Sequence, residues 1–346
     1  MMCVTPSVSI VVPCRNEAAF IGNCLDSILA NDYPKHLLEI LVVDGMSEDG
    51  TRVIVQEYVH QYPVIRLVDN PKKIIPTAMN IGIAQSHGEI VMKMDAHSIF
   101  PRDYVSNCIR YLFQFDADMV GGVWTIAPGR KTLTAQSISL ALPHWFASGN
   151  AYVKIGSKQP RLTDAAGFGC WKRETLRKVG PFNEDLSGSS DMDLNVRLRK
   201  VGGKILLVPD IRITYFADAD LAIFWRHSLS DGVWATYVLK FGSYAFSWRH
   251  WVPLAFVIAL VGSGMFLPFV PWTAWIFAGV GGAYLVTNIL ASLQLSVRER
   301  SLKHMVVLPL VFAIRHFAHG IGALYGIVLA VVPGLMWKGR RGANAH

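Results

Sequence analysis

Two hydrophobic periods alternate along the first 210 residues. "VSIVVP" (8–13), "EILVVD" (39–44), "VIRLVD" (64–69) and "EIVMKMD" (89–95) are short, β-branched apolar runs bounded by turn residues, the pattern of buried strands. Between them the spacing changes to that of helices. "EAAFIGNCLDSILA" (17–30) gathers Phe20, Ile21, Cys24, Leu25, Ile28 and Leu29 on one helical face. "SEDGTRVIVQEYVHQY" (47–62) and "IPTAMNIGIAQS" (75–86) follow, the latter with Pro76 at a helix start. Strands alternating with helices predict an α/β fold with a mostly parallel central sheet covered on both faces. Such sheets bind ligands beyond the carboxyl ends of their strands.

That edge is where the polar residues collect. The first strand ends in "PCRNE" (13–17), the second in "DGMSEDGT" (44–51) and the fourth in "DAHS" (95–98). Asp49 and Ser47 read as ordinary turn or cap residues. Asp95 and His97 lie two positions apart at a strand end, where they can share a cation or cap a helix. No GxGxxG follows the first strand and no GxxxxGK[ST] occurs, which argues against a dinucleotide cofactor and a P-loop.

After residue 250 the pattern is continuously apolar. "VPLAFVIALVGSGMFLPFV" (252–270) and "WTAWIFAGVGGAYLVTNILASLQL" (272–295) carry no charge over about the length of a bilayer core. "VVLPLVFAIRHFAHGIGALYGIVLAVVP" (306–333) is a third candidate span, interrupted by Arg315, His316 and His319. Basic residues in "SVRERSLKH" (296–304) and in the tail "KGRRGANAH" direct both toward the cytosol, which calls for an even number of crossings. Between the halves, "LAIFWRHSLSDGVWATYVLKFGSYAFSWRHW" (221–251) mixes aromatic and basic residues as an interfacial helix does, or a packed surface helix. These divisions predict a cytosolic domain over 1–217, interfacial helices over 218–250 and a transmembrane region with a basic tail over 251–346.

Composition agrees. Hydrophobic residues make up 52% of the 346 and charged residues 17%, too apolar for an ordinary soluble enzyme. Residues 251–346 hold seven Lys/Arg against one Glu, so +6 of the chain's net +8 resides there. The basic character therefore marks no nucleic-acid face. Five scattered cysteines without a CxxC pair fit a reducing compartment.

Taken in order, "VSIVVPCRNEAAFIGNCLDSIL", "EILVVDGMSEDGT", "NPKKIIPTAMNIGIAQSHGEIVMKMDAHS", "GFGCWKRETLRKVGPFNEDL" and "SSDMDLNVRLRKVGGKI" resemble glycosyltransferase family 2 over residues 7–215. The "DAH" form and the apolar C-terminus resemble its membrane-bound succinoglycan-type exopolysaccharide subgroup. The resemblance implies an A-type glycosyltransferase fold and inverting transfer of a sugar from a nucleotide-diphosphosugar, a UDP-sugar above all, to a lipid-linked saccharide. The expected location is the bacterial inner membrane, with the catalytic domain on the cytosolic side. It implies Pro13, Arg15, Glu17, Asp44 and Lys73 as donor-binding residues, Asp95 and His97 as ligands for Mn²⁺ or Mg²⁺, with Asp95 also facing the donor, and Asp191 as the catalytic base. Arg197 would contact the diphosphate or pair with a carboxylate. Asp193 should point elsewhere, and Glu184 and Asp185 are further carboxylates in the preceding loop. Trp171 offers either a ring on which the acceptor sugar stacks or core packing. Two departures stand out: His97 replaces the commoner Asp, and Ser190 precedes Asp191 where Glu is usual. A processive synthase would carry a Gln-x-x-Arg-Trp signature, which "FWRHSLSDGVW" lacks. A catalytically inactive nucleotide-binding membrane scaffold would not need Asp44, Asp95 and Asp191 together.

Overall fold

The computed structural model describes residues 5–241 and 248–332. The basic tail and Cys3 lie outside the described residues. In chain order the elements are β1 (Val8–Cys14), α1 (Ile21–Leu29), β2 (Leu38–Asp44), α2 (Thr51–Gln61), β3 (Ile65–Asp69), α3 (Ile75–Gln85), β4 (Ile90–Lys93), β5 (Ser98–Ile99), α4 (Tyr104–Gln114) and β6 (Met119–Pro128). Then come α5 (Leu133–Ala141), α6 (Trp145–Ser148), α7 (Tyr152–Ile155), β7 (Arg161–Leu162), β8 (Gly167–Lys172), α8 (Arg173–Val179), α9 (Ser190–Lys200) and β9 (Ile205–Ala217). Four long helices follow: α10 (Leu221–Tyr237), α11 (Trp251–Phe266), α12 (Thr273–Arg298) and α13 (Leu308–Val331).

Two compact units emerge. One runs through Thr125 and resumes over Gly156–Tyr215; the other combines Ile126–Ile155 with the described residues from Phe216 to Val332. The segment carrying α5 to α7 thus groups with the C-terminal helices, although it precedes the expected boundary at 217.

The first unit is built on one sheet of order β3-β2-β1-β4-β8-β6-β9-β5, with β7 paired to β9. β3, β2, β1 and β4 are parallel, as the strand–helix alternation predicts. β8 is antiparallel to both β4 and β6, so the sheet is mixed beyond β4. The period of two decides which face each side chain enters. Ile10, Val12, Ile40 and Val42 pack with Ile21, Leu25 and Ile28 of α1 and with Tyr104 and Leu112 of α4. The alternate residues Val11, Leu41, Val43 and Val91 pack on the other face with Met79 of α3, Leu176 of α8, and Leu194 and Leu198 of α9.

In the second unit, α12 and α13 are long and apolar enough to cross a membrane. Along α12 the side chains of Trp275, Leu285, Val286, Ile289, Leu290 and Val297 are exposed. An unbroken apolar face of this kind is costly in water and suits lipid. The first apolar run forms a shorter helix than its composition predicts. α11 has 16 residues, about 24 Å at 1.5 Å per residue, less than the roughly 30 Å of a hydrocarbon core. α10 packs tightly on α13 through glycines. A Cβ at Gly322 would lie 2.1 Å from the Leu229 carbonyl oxygen, and one at Gly326 would lie 2.4 Å from that of Val233. This small-xxx-small spacing lets two helix backbones touch. Polar bonds tie the α5–α7 segment to the same bundle: Ser137 to His304 at 2.9 Å and His316 to the Phe146 carbonyl at 2.7 Å.

Candidate active site

The loops after β1 and β2 brace one another at the carboxyl edge of the parallel strands. The Asn16 amide donates to Ser47 Oγ at 2.8 Å, and the Glu48 amide donates to Asn16 Oδ1 at 3.0 Å. Asp49 accepts from Ala18 and Thr51, the capping role its sequence context suggests. Asn16, Met46 and Lys73, one after each of β1, β2 and β3, all hold left-handed backbone with φ near 60°. Non-glycine residues adopt that region at a cost and only where surrounding bonds enforce it.

β4 ends at Lys93, two residues earlier than the apolar run predicts. Met94 still bonds Val11, but the chain then turns, closed by the Ser98 amide on the Asp95 carbonyl at 3.1 Å. Asp95 and His97 therefore belong to a turn, not to alternate positions of a strand. His97 Nδ1 donates to Glu17 Oε1 at 3.1 Å, and its ring stands edge-on to Tyr215. Burial pulls the His97 imidazolium down, but the bond to Glu17 and the charges of Glu17 and Asp95 outweigh it, so its pKa lies above the ordinary value.

The residue that joins the motifs is Lys93. Its side chain is buried, yet Nζ reaches Asp191 Oδ2 at 2.7 Å and Asp95 Oδ1 at 3.5 Å. Burial opposes the ammonium; Asp191 and Asp95 more than offset it and raise its pKa above that of an ordinary lysine. Asp191 sits in the first turn of α9 with half its side chain exposed (51%). Asp191 and Asp95, about a hundred residues apart in sequence, are thus held around one fixed cation.

Other expected site residues sit differently. Glu17 is 3% exposed and bonded to His97 through one oxygen, which orients that imidazole. Asp44 is fully buried, its carboxylate taken by Arg52 at 2.7 Å and by Ser47. In this structure it anchors the loop after β2. Pro13 is buried in β1, Arg15 is half-buried against Gly45, and Lys73 is partly exposed 3.9 Å from Glu48. Arg197 makes the carboxylate pair that was one of its two expected roles. It grips Asp193 at 2.8 Å and the carbonyls of Val179 and Pro181, tying α9 to the loop before it. Asp193 is buried on Arg197, whereas Asp191 is half exposed. Glu184 is held by Lys72 at 2.7 Å and Asn80 at 3.0 Å. Trp171 is 2% exposed and edge-on to Phe182, in the space left by the missing side chain of Gly169. Its ring is core, with no face for a sugar. A partly exposed stack of Trp124 on Tyr215, centroids 4.7 Å apart, borders His97 instead.

Among the described residues, no group of three or more His, Cys, Asp or Glu side chains converges as a complete metal cage. Asp95 and His97 still fit a divalent ion. Mg²⁺ sites commonly use one or two protein donors and take the rest from substrate phosphates and water. A ligating imidazole is commonly oriented by a carboxylate on its other nitrogen, as Glu17 holds His97.

Residues 9–180 match the family model described as Glycosyl transferase family 2. The chain belongs to glycosyltransferase family 2. Succinoglycan biosynthesis protein ExoA of Rhizobium meliloti is 27% identical over 284 residues, 79% of this chain and 82% of the relative. The dolichyl N-acetyl-alpha-D-glucosaminyl phosphate 3-beta-D-2,3-diacetamido-2,3-dideoxy-beta-D-glucuronosyltransferase of Methanococcus voltae is 22% identical, covering 93% of this chain and 97% of its own. Among solved structures, the mannosyltransferase PcManGT of Pyrobaculum calidifontis, in complex with GDP-Man and Mn²⁺, superposes with a TM-score of 0.58 at 20% identity over 93% of this chain and 88% of its own. This likeness shows an A-type glycosyltransferase fold.

Proposed function

We propose that this family 2 enzyme transfers a sugar from a nucleotide-diphosphosugar, with inversion, to a lipid-linked saccharide in bacterial polysaccharide or glycolipid assembly. The carrying observation is Lys93, which holds the carboxylate of the donor motif and that of the expected base on one ammonium. Asp191 is the base. Lys93 fixes Oδ2, which leaves Oδ1 to accept the proton of the acceptor hydroxyl. The acceptor oxygen forms the new bond to the anomeric carbon as the bond to the nucleoside diphosphate breaks, and the departing diphosphate takes the electron pair. One displacement from the opposite face inverts the centre. Asp95 and His97 would hold Mn²⁺ or Mg²⁺, which when bound neutralises charge on the diphosphate. The Trp124–Tyr215 stack is the sugar platform in place of Trp171.

Relatives support the acceptor class: one is named for succinoglycan biosynthesis and one for a dolichyl phosphate sugar. The exposed apolar face of α12 supports a membrane location, which we assign to the cytoplasmic membrane with the catalytic unit on the cytosolic side. The test is nucleotide release across a panel of UDP- and GDP-sugars with lipid extracts as acceptor. Asp191→Asn is expected to abolish transfer while nucleotide affinity stays within about threefold. Equal loss of both would place the base elsewhere.

A further inference from the structure

Two helices of the second unit are long and apolar enough to cross a bilayer, α12 and α13, and they are not alike. Of the apolar stretch of α12, 17% is buried inside the protein; of that of α13, 50%. α13 owes much of its cover to α10, which runs beside it in the same direction. Arg315 meets the Ser228 hydroxyl at 3.4 Å, Gly232 lies against the His319 carbonyl, and the Thr236 hydroxyl donates to the Ala323 carbonyl at 2.8 Å. A crossing by α13 would therefore carry α10 with it. The outer side of α10 exposes Arg226 and Asp231, the latter with 53% of its side chain accessible. Charged side chains at membrane depth turn toward protein or a wet cavity, because lipid does not solvate them. These two face outward, as on helices that lie at a membrane surface.

α11 and α12 are built differently. Neither a charged residue nor a histidine stands between His250 and Arg298, while cations flank both ends: Arg249 on one side, Arg298, Arg300 and Lys303 on the other. The two helices form an antiparallel hairpin, with Phe256 stacked on Tyr284 and Gly264 against Phe277. α13 crosses the base of this hairpin, where Tyr284 bonds His316 at 3.1 Å and Asn288 donates to the Pro309 carbonyl at 3.0 Å. From that level the arms run on for about 15 Å in α11 and about 18 Å in α12, at 1.5 Å per residue. That is roughly half of a 30 Å hydrocarbon core. Ile258, Val261, Met265 and Trp275 are exposed along this length.

The turn that joins the arms is the deciding feature. "FLPFVPW" (266–272) has no charged or hydrogen-bonding side chain except the Trp272 indole, and Phe269 is 80% exposed. Turns that face water are usually rich in Ser, Asn, Asp and Gly. Here the backbone satisfies itself. Phe269 and Val270 donate their amides to the Phe266 carbonyl, Thr273 donates to Val270 and Ala274 to Pro271. Positions 268 and 271 are prolines, which have no amide hydrogen to satisfy. A backbone that answers its own polar groups is what a hydrocarbon environment demands.

We propose that the α11–α12 hairpin is re-entrant: it dips from the cytosolic face into the acyl chains of the nearer leaflet and turns inside the bilayer, while α13 lies with α10 at that face and does not cross. The basic segments at 296–304 and after α13 then stay on the cytosolic side, as their charge favours. This arrangement rests on the membrane location proposed above and gives the topology of the anchor.

The test is cysteine accessibility in the full chain, in native membranes, with a membrane-impermeant maleimide applied to right-side-out and to inverted vesicles. Cysteines are placed singly at the exposed positions Leu302, Phe269 and Val331, the parent chain supplies the background, and nucleotide release establishes that each variant is folded. Leu302→Cys and Val331→Cys are both expected to react in inverted vesicles only. Phe269→Cys should react more than about tenfold slower than Leu302→Cys from either side, because a thiol in lipid is neither ionised nor reached, and should react fully once detergent is added. Labelling of Val331→Cys from the far side would mean that α13 crosses and overturns the proposal. Labelling of Phe269→Cys from the far side would make the hairpin a pair of spans; labelling from the near side would put its tip in water. Protection that persists in detergent would mean that protein, such as a second copy, covers the tip. Each of these overturns the re-entrant turn. A chain released from membranes by alkaline carbonate refutes the membrane location itself.

Discussion

Replacing Lys93 with Met is the most direct perturbation of the proposed machinery, because it keeps most of the unbranched side chain and removes the ammonium with its hydrogen bonds. The magnitude follows from two distances. Nζ lies 2.7 Å from Asp191 and 3.5 Å from Asp95. With an effective dielectric of about 20, these give gross attractions of about 6 and about 5 kcal/mol. Desolvation of the buried ammonium cancels several kcal/mol of this. Asp191 is half exposed, so water screens its share further. A net loss of about 2–3 kcal/mol remains, an expected fall in kcat of about 10²-fold. The assay is steady-state nucleotide release at saturating donor and acceptor, alongside circular dichroism and a thermal melt to establish folding. Lys93→Met should lower kcat and leave the acceptor KM within about threefold, since the lysine acts through Asp191 and Asp95. A folded Lys93→Met protein with kcat within threefold of the parent would refute the role given to this residue and, with it, the link between the two motifs.

Arg197→Ala should destabilise the first unit by about 3 kcal/mol, because it removes the guanidinium paired with the buried Asp193; thermal melts check this, and donor KM in the folded fraction should not move. Trp171→Leu should cost about 2–4 kcal/mol of stability as a core truncation while leaving acceptor KM alone. Trp124→Ala should raise a sugar KM about five- to tenfold, as expected for loss of a stacking contact; the opposite assignment of effects would restore Trp171 as the platform. Glu39 tests pH dependence. Burial raises its pKa, but bonds from His87, Ser9 and Gly88 outweigh burial and lower it. A lowered folded pKa means stability present above the unfolded value of about 4.5 and lost as pH falls through the folded one. Melts between pH 3 and 6 should therefore show a shallower acid limb in Glu39→Gln.

The parallel half of the sheet was legible because both faces of β1, β2 and β4 are buried, so each reads as a short, nearly unbroken apolar run, with β3 partly exposed beside them. The antiparallel half was not. β8 is "GFGCWK", in which glycines stand where neighbouring backbone approaches, and they dilute any periodic signal. The same glycines leave Trp171 open between a ligand loop and core packing in the sequence; in the structure Gly169 makes room for the buried indole. Glu17 meets His97 across 80 residues, a pairing that no local pattern records, whereas the Arg197–Asp193 pair follows helical i,i+4 spacing. Lys93 had a signal that went unread. A lysine inside "IVMKMD", on the face shared with Val91, breaks the apolar pattern of a central strand, and a buried cation in such a run requires carboxylates nearby.

The charges around Lys93 bear on the metal directly. Glu17, Asp95 and Asp191 contribute three carboxylates against one ammonium, with His97 able to add a second positive charge when protonated. A diphosphate brings at least two further negative charges to this edge. Each pair of like charges 4 Å apart repels by about 4 kcal/mol at an effective dielectric of 20. Lys93 is already shared between Asp95 and Asp191, so the diphosphate needs a cation that Lys93 does not supply. Nucleotide-sugar affinity measured with EDTA is accordingly expected to fall at least tenfold below that with Mn²⁺. His97→Ala, which removes one ligand and leaves Glu17 with no partner to orient, should bring the Mn²⁺ value down to the EDTA value without changing the latter. An unchanged Mn²⁺ enhancement in His97→Ala would take the imidazole out of the ligand set. Equal affinity with and without metal in the parent would mean that cations outside this cluster, Arg15 and Lys73 first among them, neutralise the diphosphate.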